Sequence, residues 1–151
     1  MPEQAARTVL AFDFGLQRIG VAVGEPELGT AHPLPGIAAR TQPGRLTAVE
    51  RLVKEWEPSM LVVGRPLGED GAPHEMTRRA ERFARQLSGR FRLPVTLVDE
   101  RYSSAEVESR MRAAYGSRKA AILSRGKALD SHAAQVILEQ YLSDPSDGLA
   151  A

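Results

Sequence analysis

The 151-residue chain has no cysteine. That excludes a disulfide framework, a thiol nucleophile and any thiolate zinc site, and it suits a reducing compartment. Long apolar runs are missing as well. The start, MPEQAARTVLAF, has no basic segment feeding a long apolar one, and no window approaches the ~18 apolar residues of a membrane span, so a cytoplasmic protein without a membrane partner is expected. A Ser/His/Asp constellation is absent too, because the three histidines, His32, His74 and His132, lie in unrelated contexts. Neither sign of charge dominates: 20 basic and 19 acidic residues leave a net charge of +1, so any preference for nucleic acid must come from local clustering. Only 3 of the basic residues are Lys and 17 are Arg, spread over the whole chain, which codon bias explains as readily as phosphate binding.

Hydrophobic residues make up 42% of the chain, enough for one packed core, and no repeat, linker or second domain interrupts it. The segments TVLAFDF (8–14), RIGVAVG (18–24) and GTAHPLPGI (30–38) read as three short antiparallel strands joined by Gly-containing turns. Leu46, Val49, Leu52, Val53 and Trp56 recur at helical spacing before Pro58, and SMLVVG (59–64) is a short apolar run typical of a buried parallel strand. The alternation repeats with Ala80, Phe83, Ala84 and Leu87 on one helix face between Gly71 and Gly89, followed by PVTLV (94–98). Ser103-Ser-Ala-Glu106 matches a capping box for a helix to about Tyr115, and YGSRKAAILSRGK (115–127) has no clear period and reads as a mobile loop. From Asp130 onward, Ala133, Ala134, Ile137, Leu138 and Tyr141 form a last amphipathic helix. The expectation is one α/β domain over 1–143 with a frayed tail over 144–151. Its mixed five-stranded sheet, three antiparallel strands then two parallel ones, carries helices on both faces and resembles the ribonuclease H-like arrangement.

Three acidic residues stand where the pattern asks for something apolar or neutral: Asp13 inside VLAFDFG, Glu100 at the end of VTLVDE, and Asp130 one turn before Ala133 and Ala134. All three can meet at one end of the sheet, where clustered carboxylates take up protons unless a cation neutralises them. The natural cation has oxygen ligands: Mg²⁺ or Mn²⁺ in such a cluster binds a phosphodiester, activates water and stabilises the leaving oxygen. Each residue has a plainer use. Asp13 suits a strand-end turn, Glu100 a surface pair with Arg101 that leaves Asp99 as the ligand, and Asp130 a helix N-cap.

The segments AFDFGLQRIGVAVG, VVGRPLGEDG, VDERYSS and KALDSHAAQVILEQYL, in that order, resemble the four signature blocks of the YqgF/RuvX family over nearly the whole chain. The resemblance implies a ribonuclease H-like fold, a metal-dependent nuclease related to Holliday-junction resolvases, and a role in maturing the 5′ end of 16S rRNA precursor. It carries the family's acidic positions onto Asp13, Glu100 and Asp130. Two residues depart from the family's pattern: Arg65 and Tyr102 stand where an apolar residue and Leu are usual. Beside the site an Arg would bind phosphate and a Tyr would stack on a base; away from it both are surface changes.

Between Arg110 and Lys127 lie Arg110, Arg112, Arg118, Lys119, Arg125 and Lys127 with no acidic residue, next to Asp130, where a polyanionic backbone would approach. Arg78, Arg82 and Arg85, at i, i+4 and i+7, read as a solvated helix face. Lys127 and Arg18 are the cations expected beside the chemistry, holding the scissile phosphate or, alternatively, only the carboxylates. Expected substrate contacts are thus Arg18, Arg65, Tyr102, Arg118, Lys119, Arg125 and Lys127. The expected partner is precursor rRNA or branched DNA, the chain being a monomer or homodimer. Two other classes compete. An actin-like ATPase or sugar kinase shares the Asp-x-Gly hairpin but needs a second copy of the domain, for which this chain is too short. A non-catalytic RNA-binding factor would set three acids against phosphate.

Overall fold

In the computed structural model, residues 7–67, 72–100, 113, 127–145 and 148–151 are described, except for the side chains of 127–130. Six strands form one sheet in the order β3-β2-β1-β4-β5-β6. β1 (Val9–Asp13) pairs antiparallel with β2 (Ile19–Glu25), which pairs antiparallel with β3 (Thr30–Ile37). β4 (Met60–Arg65) lies parallel to β1, and β5 (Val95–Asp99) parallel to β4. The prolines of β3, Pro33 and Pro35, lie on an edge strand, where a missing N–H costs no ladder bond.

The expected count of five strands is corrected to six. Leu149–Ala150, in the tail expected to be frayed, forms β6, antiparallel to β5 through Leu97↔Leu149, and the Ala151 N–H donates to the Val95 carbonyl at 2.9 Å. This two-residue strand covers an edge that β5 would otherwise leave unpaired.

Two helices cover one face. α1 (Gln42–Trp56) starts where Thr41 Oγ1 accepts from the Gly44 N–H at 3.2 Å, and it stops at Glu57, whose φ is 46°. α2 (Glu75–Phe91) starts in a capping box, with His74 Nδ1 accepting from the Met76 N–H and Thr77 Oγ1 from the His74 N–H. It runs through Gly89 and ends at Arg92, φ 55°. Leu10, Phe12, Leu61, Val63, Val95 and Leu97 face these helices, and Val49, Ala80, Phe83, Ala84 and Leu87 complete that core. The alternate residues Val9, Ala11, Val62 and Val98 face α3 (Lys127–Ser143), which buries Ala134, Ile137 and Leu138 against them. Because β1, β4 and β5 are covered on both faces, they read as continuous apolar runs. Three parallel strands therefore end at one sheet edge, with α3 on one side of it and α1 and α2 on the other.

Candidate active site

Alternation along the strands decides which side chains meet at that edge. Asp13 ends β1 in step with Val9 and Ala11, and Glu100 follows β5 in step with Val98, so both lie on the α3 face. There the Glu100 carboxyl is hydrogen-bonded to Asp13. Burial pushes the Glu100 carboxyl above its usual range, and the bond to Asp13 pulls it only partly back. Two carboxyl groups in contact cannot both be comfortably ionised: they share a proton or accept a cation. Their all-oxygen donor set fits a hard divalent ion.

Gly64 makes the contact possible. It ends the run LVVG between the two acids, level with Val98 on β5. A Cβ built on it would stand 2.5 Å from Ile137 Cδ1 of α3, 3.2 Å from Glu100 Cγ and 3.3 Å from Glu100 Oε2. The missing side chain leaves a notch through which Glu100 reaches across β4.

Asp99 points to the other face. Its Oδ1 accepts from Arg65 Nε at 2.7 Å, and Arg65 Nη1 donates to Glu81 Oε2 of α2 at 3.1 Å. Hydrogen bonding to Asp99, ahead of Glu81, raises the Arg65 guanidinium above its ordinary value despite its burial. Arg65, expected on substrate, is thus engaged by two carboxylates, and of the acids in VDE it is Glu100 that meets Asp13.

Asp130 lies within the first turn of α3, which starts at Lys127 rather than at Asp130, so it is not that helix's N-cap. The neighbouring Ser131 fixes the turn in place: its Oγ donates to the Leu34 carbonyl at 2.5 Å. Leu34 is level with Val21, and Val21 with Phe12, one residue before Asp13. The start of α3 thus lies at the sheet level that carries the acid pair. The side chains of Asp130 and Lys127 lie outside the described residues, as do Tyr102, Arg118, Lys119, Arg125, the capping box at Ser103 and the segment expected to be a mobile loop. Among the described residues no three acidic or histidine side chains converge. Arg18 is exposed at the end of the β1–β2 turn. The turn itself is tight, since a Cβ on Gly15 would meet the Arg18 carbonyl oxygen at 2.5 Å.

One residue that sequence reasoning missed holds this turn. Arg45 of α1 is buried, donates from Nη2 to the Leu16 carbonyl at 2.5 Å and from Nε to the Ala39 carbonyl at 2.7 Å, and its guanidinium lies 5.1 Å from the centre of the Phe14 ring. Burial lowers its pKa from the ordinary value. The only sequence signal was an Arg one position before the apolar Leu46, which any surface helix also shows.

The chain is similar to known proteins in both sequence and fold. Residues 7–144 match the family described as RuvX, Holliday junction resolvase. A Paraburkholderia phytofirmans protein named "Putative pre-16S rRNA nuclease" is 50% identical over 147 residues, 97% of this chain and 95% of its own length. A Dechloromonas aromatica protein of the same name is 49% identical over 91% of this chain and 92% of its own. Among solved structures, Thermus thermophilus RuvC aligns with a TM-score of 0.56 and 15% identity over 95% of this chain and 99% of that one. A fowlpox virus resolvase in complex with its substrate Holliday junction DNA aligns at 0.57 and 13%, over 91% and 98%. At such identities the likeness establishes the fold, which is ribonuclease H-like. With that fold, with half of all positions identical to relatives over nearly their whole length and with a family match spanning 7–144, the chain belongs to the RuvX family.

Proposed function

We propose that this protein is a divalent-metal nuclease that cleaves phosphodiester bonds in maturing the 5′ end of 16S rRNA precursor. The observation that carries the chemistry is the Asp13–Glu100 carboxyl pair, half-buried on the α3 face where three parallel strands end. The substrate rests on the relatives' names at 50% identity across nearly both full lengths. Asp13, Glu100 and Asp130 would hold Mg²⁺ or Mn²⁺, which when bound would neutralise phosphate charge and lower the pKa of water. The rigid sheet keeps Asp13 and Glu100 in register, and the notch at Gly64 sets their separation. Arg18 and Lys127 hold the scissile phosphate, while Arg118, Lys119, Arg125 and Tyr102 extend the contact along the strand. Arg65 orders the strand edge through Asp99 and Glu81 rather than touching substrate. With a ribosomal RNA precursor as substrate the protein works in the cytoplasm. No helix among the described residues is long and apolar enough to cross a membrane.

A second reading, resolution of four-way DNA junctions, is favoured by the family's description and by the fowlpox resolvase bound to such DNA. It requires a homodimer whose two sites act symmetrically, whereas trimming RNA is open to a monomer. The test is cleavage of a labelled precursor-rRNA 5′ end and a labelled four-way junction by wild type and Asp13→Asn, with Mg²⁺ or Mn²⁺. RNA cleavage that disappears in Asp13→Asn is the expected result. Paired cuts in the junction with the RNA left intact would make the protein a resolvase. Cleavage of neither would point to a non-catalytic RNA-binding factor, and cleavage unchanged in the variant would remove Asp13 from the site.

A further inference from the structure

On the opposite face of the sheet from the acid pair, a cleft of about 250 Å³ opens between α1 and α2 under the β1–β2 turn. Four arginines line it, Arg40, Arg45, Arg79 and Arg82, and no acidic residue does. Only Arg79 has an acidic partner among the described residues, Glu75 at 2.9 Å, a solvent-exposed i, i+4 pair that holds it weakly. Arg45 cannot swing away, because two of its nitrogens hold the Leu16 and Ala39 carbonyls. Like charges gathered in this way repel one another unless an anion joins them.

The rest of the wall is apolar. Phe14 is fixed against Phe83 at 5.4 Å between ring centres, and Leu16 stands 55% exposed, one of three large apolar side chains left in water among the described residues. A simple anion would satisfy the arginines and leave this wall uncovered. A phosphate joined to a flat, weakly polar body covers both, since guanidinium groups grip phosphate bidentately and also stack on bases. The cleft falls just below the ~300–1,000 Å³ of drug-sized pockets, which suits a single unit and not a dinucleotide.

We propose that this cleft is a nucleotide site, taking the phosphate of one nucleoside monophosphate unit between Arg40, Arg79 and Arg82 and its base against Phe14 and Leu16. The unit comes either from a free nucleotide or from the RNA strand. The second source rests on the nuclease reading: Phe14 directly follows Asp13, so a strand crossing the acid pair turns over the β1–β2 corner into the cleft.

The test is titration of the isotope-labelled full chain, in EDTA, with adenosine 5′-monophosphate, adenosine and inorganic phosphate, observed by amide NMR. Saturable shifts at Phe14, Leu16 and Leu46 are expected with the monophosphate, with adenosine and phosphate each binding at least about tenfold more weakly, and with about tenfold loss in the variant Arg40→Glu/Arg82→Glu. Circular dichroism checks that this variant folds; if it does not, Arg82→Gln replaces it. No saturable shift, equal shifts in the variant, or phosphate binding as tightly as the monophosphate would overturn the proposal. A single-stranded ten-nucleotide RNA then separates the sources. Competition with the monophosphate and about tenfold weaker RNA binding in the variant assign the cleft to the strand. Monophosphate binding without competition assigns it to a free nucleotide. These readouts need no cleavage, so they stand or fall separately from the effect of Asp13→Asn.

Discussion

Replacing Gly64 by Ala tests the geometry of the acid pair with a single methyl group. The new carbon would stand 2.5 Å from Ile137 Cδ1, a side chain only 3% exposed and packed between α3 and the sheet. Overfilling a packed core of this kind costs ~1–3 kcal/mol, while removing a glycine from a strand returns ~0.5–1 kcal/mol. The net loss is about 1–2 kcal/mol, a fall in Tm of roughly 2–8 °C for a chain of this size. The same methyl would sit 3.2 Å from Glu100 Cγ and 3.3 Å from its Oε2, so the carboxylate must give by a few tenths of an ångström. With Glu100 as the metal ligand proposed above, displacing it by that amount is expected to reduce metal affinity or cleavage by about tenfold.

Adding Ile137→Val separates the two contacts, because it removes the Cδ1 that the methyl strikes and leaves Glu100 alone. Thermal unfolding by circular dichroism and metal affinity by calorimetry are measured on Gly64→Ala, Ile137→Val and the double variant. The double variant should recover most of the lost Tm without recovering affinity. Wild-type stability and affinity in Gly64→Ala would refute the notch, and recovery of both in the double variant would show that Ile137 alone felt the methyl.

Arg45→Met leaves the Leu16 and Ala39 carbonyls without their donor, so it should cost about 2–3 kcal/mol, read as a Tm fall of roughly 4–12 °C; Arg45→Lys, lacking the fork, should not restore it. Arg65→Ala releases Asp99 and Glu81 and should lower Tm by a few degrees while RNA affinity in EDTA changes less than about twofold, whereas a larger loss of affinity would place Arg65 on the substrate. Removing residues 148–151 uncovers β5 and should lower Tm by about 2–6 °C and promote self-association, measured by light scattering, with cleavage per folded molecule unchanged.

The three central strands were legible because burial on both faces makes each a short unbroken apolar run, and α1 and α2 because their apolar residues recur at helical spacing. β6 was not: two residues, Leu149 and Ala150, carry no period, and only the open edge of β5 makes a strand of them. α3 spans Lys127–Ser143 and so begins one turn before Asp130, where its apolar pattern was first read.

The choice between Asp99 and Glu100 shows where local pattern stops and the fold takes over. Consecutive residues at the end of a strand point to opposite faces, so VDE must send one carboxylate each way, and the sequence contains that much. Which way leads to Asp13 depends on the register of β1, β4 and β5 and on which face α3 covers, none of which lies within the segment itself. Arg65 completes the sorting from the far side. It faces α2 in step with Val63, takes up Asp99 and Glu81, and leaves on the α3 face an acid pair that burial makes receptive to a cation. Arg65 drew the expectation of a substrate contact because it departs from the family's pattern; in space it bonds Asp99 and Glu81 on the face opposite the Asp13–Glu100 pair. For the same reason the arginine cleft and the acid pair adjoin along the chain at Phe14 and Asp13 while opening on opposite faces of the sheet. A nucleic-acid strand that uses both must therefore pass over the β1–β2 turn, which Arg45 fastens to α1.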